Sequence, residues 1–401
     1  MLTPSLAQEI ARDTSAVIGF NVLITDSDGM VIGSGDVDRV GSFHEASIEV
    51  MHTHELATHT SSQAHQLRGV RPGITLPLII DGQAVGTVGI TGAPAQVRRF
   101  GLVVKRQTEI LLQESAMLRS RLLRERAAED LVRDIAGYDA ELVEPDLVLF
   151  RATELCYDLA LPRVVAVLDV TVPTGGQHRH GPASDITVLR AELLRTIREV
   201  FADPQDVVTS IAAGRFAVLH RVPGHAPAKA DERTRAGCCR VTDVIGRHHP
   251  WMARAAVGGV ATSVAGLHDS YQDACDALRL GARIAPDVAV HTIRDYRIHQ
   301  VASAVGHRTR ARLVDLVVGP ALRGQPDWPE LRRTLATWCE NGFSLVRTAA
   351  ALHLHRNTLL YRLAKIEKLT DRSIRDHRSN LALYVACLAD QLDEQPAPAR
   401  G

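Results

Sequence analysis

The stretch Ser344-Leu-Val-Arg-Thr-Ala-Ala-Ala-Leu-His-Leu-His-Arg-Asn-Thr-Leu-Leu-Tyr-Arg-Leu-Ala-Lys-Ile-Glu-Lys368 reads as two helices joined by a tight turn. Ser344 is suited to cap a short helix that runs to Leu352, because its hydroxyl can accept from a free N–H of the first turn. The small side chains of Ala349, Ala350 and Ala351 let a second helix approach closely. His353-Leu354-His355 supplies the turn, and a longer helix follows from Arg356 to about Leu369. Leu359, Leu363 and Ile366 fall at i, i+4 and i+7 and form a buried stripe with Leu352 and Leu354. The remaining side chains, His355, Arg356, Asn357, Thr358, Tyr361, Arg362 and Lys365, put hydrogen-bonding groups near the helix N-terminus and cations along its length. A helix that reads duplex DNA needs that arrangement, with base edges met at its start and phosphates held alongside.

Charge supports the reading. The 401 residues carry 46 Lys and Arg against 46 Asp and Glu, so the chain as a whole is neutral and is not a globally basic nucleic-acid binder. Residues 331–380 nevertheless hold ten Lys and Arg against four Asp and Glu. Spacing alone fits an ordinary αα-hairpin with a solvated face equally well. The local excess of positive charge tips the balance towards DNA. His353 stands where many such turns hold Gly.

Working outward, the first hundred residues read as α+β. A helix over Leu6 to Val17 precedes strand-like Phe20 to Thr25, a turn at Asp26-Ser-Asp-Gly29, and a return strand Met30 to Ser34. Ile74 to Ile80, an Asp81-Gly82 turn and Ala84 to Ile90 form a second hairpin. Two hairpins with intervening helices suggest a PAS-like or GAF-like sensor, an analogy of fold that carries no ligand. Between Pro94 and Ile135 runs one long helix. Val103/Val104, Ile110/Leu111 and Met117/Leu118 recur every seven residues, which fits a short dimer stalk or a helix packed on its own domain.

From Pro162 the pattern is strand (Arg163 to Val170), helix (Asp185 to Phe201), hairpin (Val207 to Ala212 with Phe216 to His220), helix (Thr234 to Arg247), strand (Ala255 to Ala261) and helix (Leu267 to Ala282). That is the ferredoxin-type order of nucleotide-cyclase folds. Residues 171–183 and 223–232 read as loops. After Thr292 the chain reads as all-α, and residues 394–401 as a disordered tail. The expected division is a sensor with its long helix at 1–136, a cyclase-like domain at 137–292 and a helix-turn-helix domain at 293–393.

No run approaches 18 apolar residues, and the N-terminus lacks a basic start followed by an apolar core, so neither a membrane span nor a secretory signal is expected. The six cysteines are scattered, which fits free thiols in a reducing cytoplasm. His52 and His54 would point to different faces of a helix. Neither they, with His59 and His65, nor the pairs His178/His180 and His248/His249 suggest a metal site. No cofactor is expected.

Thr348 to Leu363 resembles the C-terminal signature of the PucR/CdaR class of bacterial transcription regulators. Ile32-Gly-Ser-Gly-Asp36, His44-Glu45, Gly69-Val-Arg-Pro-Gly-Ile-Thr-Leu-Pro-Leu78 and Val88-Gly-Ile-Thr-Gly92 resemble the sensor of one branch, the carbohydrate (sugar) diacid regulators. The resemblance implies a ligand-responsive DNA-binding regulator, commonly an activator of genes for sugar diacids or hydroxy acids such as glycerate, while the seven-residue seam of the long helix favours a homo-oligomer, with a dimer expected.

Residue chemistry in the N-terminal half agrees. A small hydroxy acid needs a cation for its carboxylate, close backbone amides and hydroxyl-matching groups. The candidates are Ser34, Gly35 and Arg39 after the first hairpin, Arg71 and Gly73 before a strand, and Thr91 and Gly92 after the second hairpin. His44 either meets a ligand hydroxyl or caps and packs a helix. Arg71 and Arg39 can equally brace the surface.

Cyclases of the middle domain's fold carry a Gly-Gly-Asp/Glu-Glu-Phe hairpin, whereas Ala212-Ala213-Gly214-Arg215-Phe216 stands here. Asp169 alone cannot hold two Mg²⁺ ions, so a degenerate, non-catalytic domain is expected. Two competing readings are a nucleotide cyclase or phosphodiesterase, and a regulator answering to a purine-catabolism or amino-acid stimulus.

Overall fold

In the N-terminal region α1 (Pro4–Ile18) leads into β1 (Val22–Thr25) and β2 (Val31–Ser34). α2 (Glu45–Thr53), β3 (Ala57–His59) and α3 (Ser61–Ala64) follow, and then the long hairpin β4 (Gly73–Ile80) and β5 (Gln83–Thr91). The Asp81-Gly82 turn takes φ of 50° and 80°, the left-handed region that a tight hairpin demands. The strands form one antiparallel sheet in the order β2-β1-β5-β4-β3. This computed structural model describes residues 2–171, 182–222, 227–249 and 251–393, and the chain divides into the compact units Met1–Glu125 and Arg126–Gly401.

The short β3 is not foreseen in the sequence. Its three residues carry no alternation of their own and owe their extended form to pairing with β4. β1 likewise pairs with β5 as well as with β2, a contact between residues more than sixty apart. The apolar side chains of α1, β1, β4 and β5 meet in one core with Val97, Val104 and Leu112.

Those last residues belong to α4 (Pro94–Ala136), which runs across the division between the units. Gly101 lets it lie on the sheet, since a Cβ there would stand 2.4 Å from Ile74 Cδ1. The heptad positions split. Val104 is buried and Leu111 half-buried, while Val103, Ile110, Met117 and Leu118 remain exposed. Further along α4, Leu131, Val132 and Ile135 join a core of the second unit.

The second unit continues with α5 (Pro145–Glu154), β6 (Arg163–Thr171), α6 (Pro182–Val200), β7 (Val207–Ala212), β8 (Arg215–Arg221), α7 (Pro227–His248), β9 (Met252–Ala261), α8 (Val264–Ile284) and β10 (Val290–Thr292). Its sheet runs β10-β9-β6-β8-β7, with β10 parallel to β9 and the other pairs antiparallel. The chain is thus of mixed α+β class. β6 is buried on both faces, as its unbroken apolar run requires.

Two stretches read as loop are corrected here: α6 begins at Pro182, inside 171–183, and α7 likewise starts early. α7 begins at Pro227, inside the stretch 223–232 read as loop, because the helix formers that follow extend it towards its start. β10, like β3, is not foreseen in the sequence, its three residues being set by β9. The expected loop interior 172–181, the pair His178/His180 and the tail 394–401 lie outside the described residues.

Seven helices complete the unit: α9 (Ile293–Ala304), α10 (His307–Val317), α11 (Gly319–Arg323), α12 (Trp328–Glu340), α13 (Leu345–Ala351), α14 (Arg356–Thr370) and α15 (His377–Asp393). The helices α10 to α15 close on a separate core that includes Val314, Leu331, Leu335, Leu359, Leu363, Ile366 and Leu383, while Ile293, Tyr296 and Ala302 of α9 pack with α8, β6 and β9. Among the described residues no helix is long and apolar enough to cross a membrane.

Candidate nucleic-acid interface and candidate ligand site

Ser344 caps α13, its hydroxyl accepting from Arg347 N at 3.4 Å. Thr348 and Ala349 are buried where α13 meets its neighbours. The turn closes through Leu354 N to Ala349 O at 2.9 Å, and His353 takes φ of 55°. An imidazole thus occupies the left-handed position usually given to Gly, at a steric cost of about 1 kcal/mol. His355 then caps α14, its Nδ1 accepting from Asn357 N at 3.3 Å.

Leu359, Leu363 and Ile366 are at most 1% exposed, so the stripe expected on α14 faces the core. Its outward residues fall into two sets. The side chains of Arg356, Asn357, Thr358 and Tyr361 are exposed and, among the described residues, have no hydrogen-bond or ion-pair partner. Arg362 and Lys365 are engaged within the unit. Arg362 pairs with Glu330 and donates to Thr334 Oγ1 at 3.2 Å. Lys365 donates to both oxygens of Asp327, at 2.7 and 2.9 Å, and this holds the Asp327 carboxyl below its ordinary range. The free face is therefore the N-terminal turn and a half of α14.

The candidate ligand residues of the first unit gather around two side chains. Asn21, between α1 and β1, accepts at Oδ1 from Asp36 N at 2.7 Å and from Ser34 Oγ at 3.3 Å. Its main-chain O accepts from Thr91 N at 2.9 Å. Arg71 reaches the same place by pairing with Asp36 at 3.0 Å. Gly35 and Gly73 are packing positions, since a Cβ would stand 2.3 Å from Ser15 Oγ and 2.1 Å from Ile90 O respectively. Gly92 is tied to Pro72 O at 2.9 Å.

Arg39 is the second centre. It is buried, donates to Gly69 O through Nη2, and leaves Nη1 buried without an acceptor among the described residues. Asn21 Nδ2 is likewise a buried donor without a partner among the described residues. Arg71 is close enough to Arg39 to lower its pKa, after the larger effect of burial. His44 is buried beside them, and burial, followed by the charges of Arg39 and His59, holds its pKa down to about 4. Its Nδ1 meets Ser47 Oγ at 2.8 Å, Ser47 meets Thr87 Oγ1 at 2.7 Å, and Thr87 meets Thr25 Oγ1 at 2.9 Å.

Asn21, Asp36, Ser47, Thr87 and Thr25 were not among the sequence candidates. They lie on separate elements, and no local pattern links them.

In the middle domain, Arg215 follows the β7–β8 turn and donates to Asp169 Oδ1 and Oδ2 at 2.6 and 2.7 Å. Gly214 takes φ of 76°, and a Cβ there would stand 2.6 Å from Val170 O. The carboxylate that could have held a metal is thus bound by the guanidinium that replaces an acidic residue of the cyclase hairpin. Among the described residues no three His, Cys, Asp or Glu side chains group as metal ligands would.

Three family descriptions match the chain in order. Residues 2–135 match "Putative sugar diacid recognition", residues 140–280 a GGDEF-like domain and residues 331–389 the PucR C-terminal helix-turn-helix domain. The carbohydrate diacid regulator of Escherichia coli (strain K12) is 29% identical over 98% of this chain and 98% of its own length. YsfB of Bacillus subtilis (strain 168) is 26% identical over 96% and 97%. The purine catabolism regulatory protein of Bacillus subtilis (strain 168) is 23% identical over 34% of this chain and 26% of its own.

Proposed function

The chain belongs to the carbohydrate diacid regulator family of PucR-type helix-turn-helix transcription regulators, and we propose that it binds operator DNA through α14 under the control of a small hydroxy acid or sugar diacid. The observation that carries the DNA half is the set of unpartnered side chains at the start of α14, Arg356, Asn357, Thr358 and Tyr361, on a helix whose opposite face is core. With His355 at the cap, they suit base edges and nearby phosphates. Arg362 and Lys365 reach phosphate by exchanging Glu330 and Asp327 for it.

The effector half rests on Arg39 Nη1 and Asn21 Nδ2. Both are buried donors without acceptors, so the group that satisfies them is rich in acceptors, as a carboxylate with neighbouring hydroxyls is. Arg71 and His44, with Ser34 and Thr91, complete the proposed site, and Gly35, Gly73 and Gly92 shape it by close packing and turn geometry. The sheet order β2-β1-β5-β4-β3 supports a PAS/GAF-like sensor.

The proposed domains are 1–136, 137–292 and 293–393, working in the cytoplasm. The exposed Val103, Ile110, Met117 and Leu118 of α4 support a homodimer. In the dimer, effector binding would shift the balance between two arrangements and activate transcription. The Arg215–Asp169 pair supports a middle domain without cyclase chemistry.

The test uses the full chain. Melting temperature is followed with glycerate, glucarate, galactarate and allantoin, and anisotropy with labelled DNA from upstream of its own gene. A ligand that binds only the folded state raises the melting temperature. The reading expects one hydroxy acid or diacid to do so, and Arg39→Met to abolish the effect. A response to allantoin alone favours a purine-catabolism effector, and failure to bind DNA overturns the interface.

A further inference from the structure

A cavity of 450 Å³ opens among α9, α12 and α15, apart from the exposed face of α14. Asn380 lines it and is 1% exposed. Its Nδ2 donates to Ile374 O at 2.6 Å, which fixes the orientation of the amide and leaves Oδ1 as the buried atom without a partner. Two of the other polar groups spend their protons elsewhere. The Cys339 thiol donates to the Asn380 main-chain oxygen at 3.8 Å, and the Tyr384 hydroxyl donates to Glu340 Oε1 at 3.4 Å. Among the described residues no Lys or Arg lines the cavity, and the exposed His377 imidazole does. The acceptors left for a ligand are Asn380 Oδ1 and the carboxylate of Glu340.

The rest of the lining is apolar. Ile298, Phe343 and Leu381 are 49%, 38% and 64% exposed. Phe343 has φ of 59°, a conformation that costs a side chain of its size, and its ring packs edge-on against both Trp338 and His377 at 5.9 and 5.6 Å. It immediately precedes Ser344, the cap of α13. A strained aromatic residue, an orphan buried acceptor and a carboxylate thus border one opening.

We propose that this cavity binds a small organic ammonium ion, its N–H groups donating to Asn380 Oδ1 and Glu340 and its hydrocarbon body lying on Ile298, Phe343 and Leu381. A cation with an apolar body satisfies both halves of the lining, and the aromatic ring adds attraction for the charge. An anion meets the like charge of Glu340, and a neutral alcohol has no charge to set against it. The site differs in sign from the cluster around Arg39, and it places a ligand beside the first helix of the helix-turn-helix.

Isothermal titration of the full chain with phenethylammonium chloride and with 2-phenylethanol tests the proposal. The ammonium ion should bind at least tenfold more tightly than the alcohol. Glu340→Gln should weaken it about tenfold, and Leu381→Lys, a change at an exposed position, should abolish it by setting a like charge at the rim. Equal binding of the two probes, unchanged ammonium binding in both variants, or no binding by the unaltered chain would each overturn it.

Discussion

Arg215 donates to Asp169 through two hydrogen bonds of 2.6 and 2.7 Å, joining the start of β8 to the adjacent strand β6. The pair sits where cyclases of this fold gather acidic side chains, and it raises the pKa of the guanidinium above its ordinary value. Both groups are partly exposed, so their attraction is screened. Arg215→Ala should lower stability by only about 1 kcal/mol in urea unfolding. The chain should leave GTP unaltered in the presence of Mg²⁺. Cyclic dinucleotide formation would defeat the non-catalytic reading.

The free start of α14 predicts a graded response in DNA binding. Asn357→Ala should cost about 1–3 kcal/mol on the operator and relax preference at one base position, whereas equal loss on every sequence would assign it to phosphate. Arg356→Ala and Tyr361→Ala should weaken binding without changing the melting temperature.

Lys365 and Asp327 give a second test of that face. Asp327→Asn releases the ammonium from its partner, so the slope of log K against log salt should steepen by up to about 1. Lys365→Ala should leave a shallower slope than Asp327→Asn. Identical slopes in the two variants would remove Lys365 from the interface.

His44 predicts a pH dependence. Its folded pKa of about 4 lies below the ordinary 6.5, so the unfolded chain binds the proton more readily. Stability from this residue is complete above about pH 6.5 and declines as pH falls towards 4, by roughly 3 kcal/mol. His44→Asn should flatten that part of the urea-midpoint profile. An unchanged profile would mean that the imidazole is not held neutral.

Gly69 supports Arg39 directly. It has φ of 71°, its carbonyl accepts from Arg39, and a Cβ would stand 1.9 Å from Phe43 O. Gly69→Ala should therefore destabilise the chain by more than about 2 kcal/mol and abolish any effector-induced rise in melting temperature. His353→Gly should act in the opposite direction, raising stability by up to about 1 kcal/mol with DNA binding intact. Calorimetry of the two variants separates these outcomes.

Much of this was legible along the chain. The capping Ser344, the stripe Leu359, Leu363 and Ile366, and the hairpins at Asp81-Gly82 and Gly214 are local features, each decided by a few neighbouring residues. The loss of acidic residues from the cyclase hairpin was equally readable. β3 and β10 were not, because a three-residue strand takes its form from the strand beside it.

The sequence by itself determined the order of the longer strands and helices before Thr292, the buried face of α14 and the local excess of positive charge, because periodicity, capping and composition act over a few residues. Only the tertiary structure decided which cations are free, setting Asp327 on Lys365 and Glu330 on Arg362 while leaving Arg356 open. It also decided that Asn21, Arg39 and the Ser47–Thr87–Thr25 hydroxyls would share one buried region, and which of their donors would go unpaired. Pairing depends on distance in space, and strand order and helix packing bring together residues that no spacing in the chain connects.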